Sequence, residues 1–231
     1  MREEAFDRLS DVAARQHGLV TVAQARRVDV DIDLVERFEK SRLISELDWS
    51  TYQLRESRYG PRYAYPLAAW LALAPERFRW ERLGTPADLT VLSHESASAV
   101  WGLGAIVSPV VRFTSARARG VPRAMRIDVA PLYPDDVTIH AGVPVTTPHR
   151  TIVDLVRQWT ARDDISRVFT DAMHMNMVNL RVLFEDLTSL SPRYDVPRSG
   201  RQFLCHYIPA VSKELLSPLN LSAYAELSRS Q

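Results

Sequence analysis

The chain has 231 residues, 46% of them hydrophobic and 25% charged, with a formal net charge of +1. That is enough for one large domain or two ordinary ones, with the composition of a soluble globular protein. A single cysteine, Cys205, excludes an intramolecular disulfide and a cysteine-based zinc site. The longest apolar run, 67–74, stops at Pro75 and is too short to cross a bilayer. The charged opening Met1-Arg2-Glu3-Glu4 lacks the apolar core of a signal peptide, so the cytoplasm is the expected compartment.

The first 42 residues hold three short amphipathic segments. Phe6, Leu9, Val12 and Ala13 recur at helical spacing, and Gly18 stops that segment. Thr21, followed three residues later by Gln24, has the pattern of a capping box, in which hydroxyl and amide satisfy orphan backbone donors. A third helix places Leu34, Val35 and Phe38 on one face. Two strand-like runs follow, 43–48 and 51–54. This order predicts a winged helix-turn-helix over residues 1–60, a module that rests one helix on DNA and inserts the next.

Ser57, Gly60-Pro61 and Pro66 mark a connector, so a second domain is expected over 61–231. In it a short helix is predicted from Pro66 to Ala74. A strand at 90–92 leads to a helix capped by Ser93 that reaches Trp101 and ends at Gly102 and Gly104. Strands are predicted at 110–115, 125–130, 137–140 and 143–146. Beyond Pro148 the pattern is helical: a helix from Pro148 that takes in Trp159, a second around 165–172, a third at 180–190, and further helices at 203–210 and 215–227. The fold class is therefore α+β: a winged helix-turn-helix, a small mixed sheet and a helical C-terminal region. Arg150 and Asp154, four apart, read as an ion pair on the exposed side of their helix.

Charge is unevenly distributed. Residues 1–60 carry ten Lys or Arg against twelve Asp or Glu, residues 61–150 ten against seven, and the remainder nine against nine. The segment predicted to meet DNA is thus slightly acidic, although phosphate neutralisation ordinarily supplies much of the affinity. It suffices only if the fold gathers cations on one face. The candidates are Arg37 and Lys40 on the third helix, Arg42 leading into the wing, and Arg26 and Arg27 closing the second helix. A second basic group, Arg112, Arg117, Arg119, Arg123 and Arg126, falls between Glu95 and Asp128 with no acidic residue intervening. It suits phosphate, an acidic protein partner or plain solvation.

Signatures of catalysis are missing. His94-Glu95 opens like a zincin motif, but Ser98 stands where the second histidine belongs. Gly102-Leu103-Gly104 lacks the third glycine of a dinucleotide fingerprint. Asp128 has no Glu-x-Lys behind it, and the six histidines show no ligand spacing. No enzyme, metal or cofactor is expected.

Several segments taken together resemble the AbiEi-type antitoxins of bacterial type IV toxin–antitoxin pairs. These are Gly18-Leu19-Val20-Thr21, Leu43-Ile44 with Tyr52-Gln53-Leu54, and Leu92-Ser93-His94-Glu95-Ser96-Ala97 with Trp101-Gly102-Leu103. Gly142-Val143-Pro144-Val145-Thr146-Thr147-Pro148 and Arg150-Thr151-Ile152-Val153-Asp154-Leu155 complete them. The resemblance spans roughly 10–190. It implies an N-terminal winged helix-turn-helix that binds inverted repeats in its own promoter and represses the operon. It also implies a C-terminal domain that counters a co-encoded nucleotidyltransferase-like toxin. The DNA contacts it implies fall on Thr21, Gln24, Arg26, Arg27, Arg37, Lys40 and Arg42, with Arg55 and Arg58 beyond the hairpin. One departure stands out: the wing Ser45-Glu46-Leu47-Asp48-Trp49 replaces a basic, glycine-containing tip. A protein-interaction antitoxin, or a regulator without autoregulatory DNA binding, is the alternative.

Overall fold

A computed structural model describes residues 2–82, 90–118 and 120–230, and its contacts divide the chain into two units. One joins Met1–Leu92 to Phe113–Val145; the other joins Ser93–Arg112 to Thr146–Gln231. Ten α-helices and two small sheets among the described residues give the expected α+β class.

The first unit begins with α1 (Arg2–Ala14), whose Ala5, Leu9, Val12 and Ala13 are buried at helical spacing. The chain turns at Gly18, where φ is +86° and an added Cβ would lie 2.5 Å from the Ser57 side chain. Only glycine fits both demands. Strand β1 (Leu19–Thr21) leads into α2 (Val22–Arg26), which opens with the capping box expected of Thr21 and Gln24. In α3 (Ile32–Lys40) the Asp31 carboxylate accepts the Leu34 N–H at 2.9 Å, and Val35 and Phe38 face the core. Strands β2 (Ile44–Asp48) and β3 (Thr51–Leu54) form a hairpin through Trp49 and Ser50, with φ of +53° and +55°. Two positive φ values in a two-residue loop match the right-handed strand twist. The three strands pair antiparallel in the order β1-β3-β2.

Residues 1–60, expected to stand as a domain, lie in this unit together with much that follows. Phe78 and Trp80 pack into the same core as Leu9, Val35 and Phe38. Helix α4 (Pro61–Ala72) begins five residues before the predicted start. Pro61 takes the first helical position, where the missing N–H costs nothing, and Pro66 sits inside the helix. Buried Trp70 of α4 donates its indole N–H to the Thr90 carbonyl at 2.9 Å. Strands β4 (Thr90–Leu92), β5 (Val111–Ser115), β6 (Met125–Val129), β7 (Val137–His140) and β8 (Val143–Thr146) form a sheet of order β6-β5-β4-β8-β7. It is mixed as expected: β4 runs antiparallel to β5 and parallel to β8.

In the second unit α5 (His94–Trp101) lies against α6 (Pro148–Arg157), and α7 (Arg162–His174), α8 (Leu180–Ser189), α9 (Gly200–Tyr207) and α10 (Pro218–Arg229) complete the helical group. Its centre is aromatic, with Phe169 stacked on Tyr207 at 5.2 Å and Phe203 edge-on to both. Two expectations need correction. The helix from Pro148 ends at Arg157, and Trp159 stands beyond it at φ +63° and 65% exposed. The Arg150–Asp154 pair, placed by spacing on the solvent side, is buried, with its members 7% and 5% exposed at 2.8 Å. Spacing fixes which residues share a face but not which face the core covers.

Candidate nucleic-acid interface

Helices α2 and α3 are joined by a five-residue turn, residues 27–31, held from beneath by α1. The Arg8 guanidinium donates to the Val28 carbonyl at 2.8 Å and the Asp29 carbonyl at 3.1 Å. With Val35 and Phe38 buried, α3 turns Asp33, Glu36, Arg37 and Lys40 to solvent. That is the i, i+3, i+4, i+7 spacing of one helical face. Lys40 lies 3.7 Å from Glu36, an exposed pair of little energetic weight. The Arg37 side chain is exposed and makes no ion pair with any described residue. Arg26 at the end of α2, Arg42 at the entry to β2, and Arg55 and Arg58 after β3 are likewise exposed and unpaired among the described residues. Six of the expected DNA-facing residues therefore retain a solvent-facing cation.

The other three have partners within the fold. Thr21 is 1% exposed, its hydroxyl accepting the Gln24 N–H and donating to the Pro75 carbonyl. Gln24 is fully buried and donates to the Arg77 carbonyl at 2.8 Å and to Gln16. Arg27 grips Glu81 through both terminal nitrogens at 2.7 and 2.8 Å, donates to the Glu76 carbonyl, and lies 4.0 Å over the Phe78 ring. The hydrogen bond from Arg27, followed by that from the Phe78 N–H, pulls the Glu81 carboxyl from 4.5 down to about 2. Residues 75–81 thus form a strap across α2 that takes up the polar groups of Thr21, Gln24 and Arg27. Thr21 and Gln24 hold the fold together and do not belong to a surface that could meet a duplex, whereas Arg27 keeps 41% of its side chain in solvent beside Glu81.

The second arginine group also separates. Arg112 is 6% exposed, its guanidinium 3.1 Å from Glu95 and donating to the Gln158 side chain, so it is not a surface residue. Arg126 pairs with Asp128 on its own strand at 2.9 Å. Arg119 lies outside the described residues. Arg117 is exposed without an ion pair among the described residues. Arg123 reaches the β2–β3 hairpin: its guanidinium is 3.0 Å from the Asp48 carboxylate, and its carbonyl accepts the Trp49 indole N–H at 2.9 Å. The sequence places Asp48 and Trp49 in the wing but does not show that Arg123 is their partner, because an interaction across 74 or 75 residues leaves no local pattern.

His94 is 8% exposed and shares a hydrogen bond with the Ser93 hydroxyl at 2.9 Å. Ser93 flanks α5 as the N-cap residue expected, but its side chain makes no capping bond. Among the described residues no three His, Cys, Asp or Glu side chains are grouped to hold a metal ion, and no helix is long and apolar enough to cross a membrane. No protein-family model matches the chain, and no curated protein is found as a relative.

Proposed function

We propose that the chain is a DNA-binding antitoxin whose first three helices and three-stranded sheet act as a winged helix-turn-helix. It binds an inverted repeat upstream of its own operon, represses that operon, and counters a co-encoded nucleotidyltransferase-like toxin in the cytoplasm. The observation that carries the DNA half is the element order α1-β1-α2-α3-β2-β3 with Arg37 and Lys40 facing outward on α3. That is the order in which a recognition helix is followed by its wing. Arg26, Arg42, Arg55 and Arg58 are the accompanying phosphate contacts. The antitoxin half is supported by the motif resemblance, whose Ser93-His94-Glu95-Ser96 and Arg150-Thr151-Ile152-Val153-Asp154-Leu155 segments fall at α5 and α6, helices that pack on one another.

A mobility-shift titration with duplex from the region upstream of the reading frame tests the DNA half. Affinity falls steeply as salt rises, and Arg37→Ala with Lys40→Ala flattens that dependence by about 0.9 in the log–log slope for each phosphate no longer neutralised. Retention of wild-type affinity by the double variant refutes α3 as the reading helix. Co-expression with a neighbouring nucleotidyltransferase-like protein tests the antitoxin half through restored growth. A second reading has its own support: Asp33 and Glu36 interleave with the cations of α3, so that face is electrically balanced and equally suited to a mixed-charge protein surface. Under that reading growth is restored while no duplex is retarded.

A further inference from the structure

The hairpin that would serve as the wing is acidic at its tip. Glu46 is exposed and Asp48 keeps 30% of its side chain in solvent, with no basic residue from Ser45 to Thr51. A bare carboxylate there opposes a phosphate backbone. Arg123, from the connection between β5 and β6, supplies the opposite charge. Its guanidinium spends one nitrogen on Asp48, at 3.0 Å, and leaves 83% of its side chain exposed. An arginine has five N–H donors in a rigid fork, so a single bond to a carboxylate leaves donors for a second anion.

The attachment is specific. The Trp49 indole N–H donates to the Arg123 carbonyl at 2.9 Å, which fixes the backbone at the arginine as well as its side chain. Trp49 is itself held edge-on against Tyr65 of α4, with ring centroids 6.5 Å apart. The Asp48 carboxylate accepts the Trp49 N–H at 2.8 Å, so one oxygen organises both the turn and the arginine. All of these residues belong to the first unit.

We propose that Arg123, docked on the hairpin tip by Asp48 and Trp49, is the wing's phosphate contact, supplied from a distant segment in place of a basic residue of the hairpin itself. This rests on the duplex-binding reading above and adds a cation to it. Asp48 and Trp49 are positioning residues in this arrangement.

Neutralising the tip and touching a phosphate are separable. Asp48→Asn removes the carboxylate charge but keeps the oxygen that accepts the Trp49 N–H. In that background Arg123 has lost the carboxylate it pairs with, and any remaining effect of the arginine does not come from screening Asp48. The experiment measures affinity against salt for the full-length protein on the upstream duplex and on an unrelated duplex of equal length. Asp48→Asn tightens both complexes. Adding Arg123→Ala weakens both severalfold and flattens the slope by about 0.9, the value for one phosphate. The weakening is equal on the two duplexes, because phosphates carry no sequence. Adding Arg123→Lys instead keeps the slope.

Arg123→Ala that leaves affinity and slope unchanged in the Asp48→Asn background, while Arg37→Ala with Lys40→Ala still weakens binding, overturns the Arg123 assignment alone. An Arg123→Lys variant as impaired as the alanine overturns it too, because the charge is then not the cause. Failure of the wild-type protein to retard either duplex removes the duplex-binding reading and the Arg123 assignment together.

Discussion

Arg112 and Arg126 lie fourteen positions apart in one arginine-rich stretch, and nothing in their sequence neighbourhoods separates them. Burial does. The Arg112 and Glu95 side chains are 8% and 15% exposed, and the Gln158 amide bonds to both. Removing one partner of such a pair strands the other charge away from water, so Arg112→Ala is expected to cost about 3 kcal/mol or more in urea unfolding. Arg126 keeps 62% of its side chain in solvent beside Asp128, and Arg126→Ala is expected to change stability by less than about 1 kcal/mol. Equal effects in the two variants would contradict the assignment of roles. The same distinction explains what is legible at single positions. Thr21 and Gln24 are recognisable as a capping box because capping is local, and they form it, whereas Ser93 takes the expected N-cap position without a side-chain capping bond. Which arginine meets solvent depends on segments far away, and no local pattern records it.

Among the elements, the strap of residues 75–81 has the clearest consequence for stability. Its ion pair works in one direction on the pH axis. Glu81 in the folded protein titrates near 2, below its ordinary 4.5, so the pair stabilises fully above the ordinary value. That contribution fades as pH falls from 4.5 towards 2, where the folded state must also take up the proton. Wild type and Glu81→Gln, compared by denaturant titration at several pH values, should therefore differ most near neutrality and converge in acid. A difference that is constant with pH would show that the pair does not titrate as a unit. Several strand bounds follow from periodicity: β3, β4, β7 and β8 occupy the predicted residues. The strap does not, because a non-repetitive segment stabilised by carbonyls and one carboxylate has no period to detect. Its partners in α2 therefore look like DNA contacts in the sequence, where Arg27 is visible as a cation but Glu81, its counter-ion, is 54 residues away.

Across the whole molecule, each unit is assembled from two stretches of chain, which passes from one unit to the other after Leu92, Arg112 and Val145. A composition change and a Gly-Pro turn mark residue 60, and α4 does begin there. Yet Phe78 and Trp80 belong to the core of α1 and α3, and the buried amides of Gln16 and Gln24 find partners at Arg79 and Arg77. A fragment of residues 1–60 would expose that core to water and lose the hydrogen bonds that those amides make to the strap. It is expected to show no cooperative thermal transition by circular dichroism, and a sharp transition would refute the dependence.

The same discontinuity bears on how the protein is born. A ribosome adds about 5–20 residues per second, so several seconds separate the emergence of α4 from that of β8. For the first part of that interval, until residue 123 emerges, the nascent N-terminal helices lack the Arg123 arm and most of the five-stranded sheet. A chaperone holding the growing polypeptide would meet them in that unfinished form, and any premature engagement of DNA would proceed without the arm.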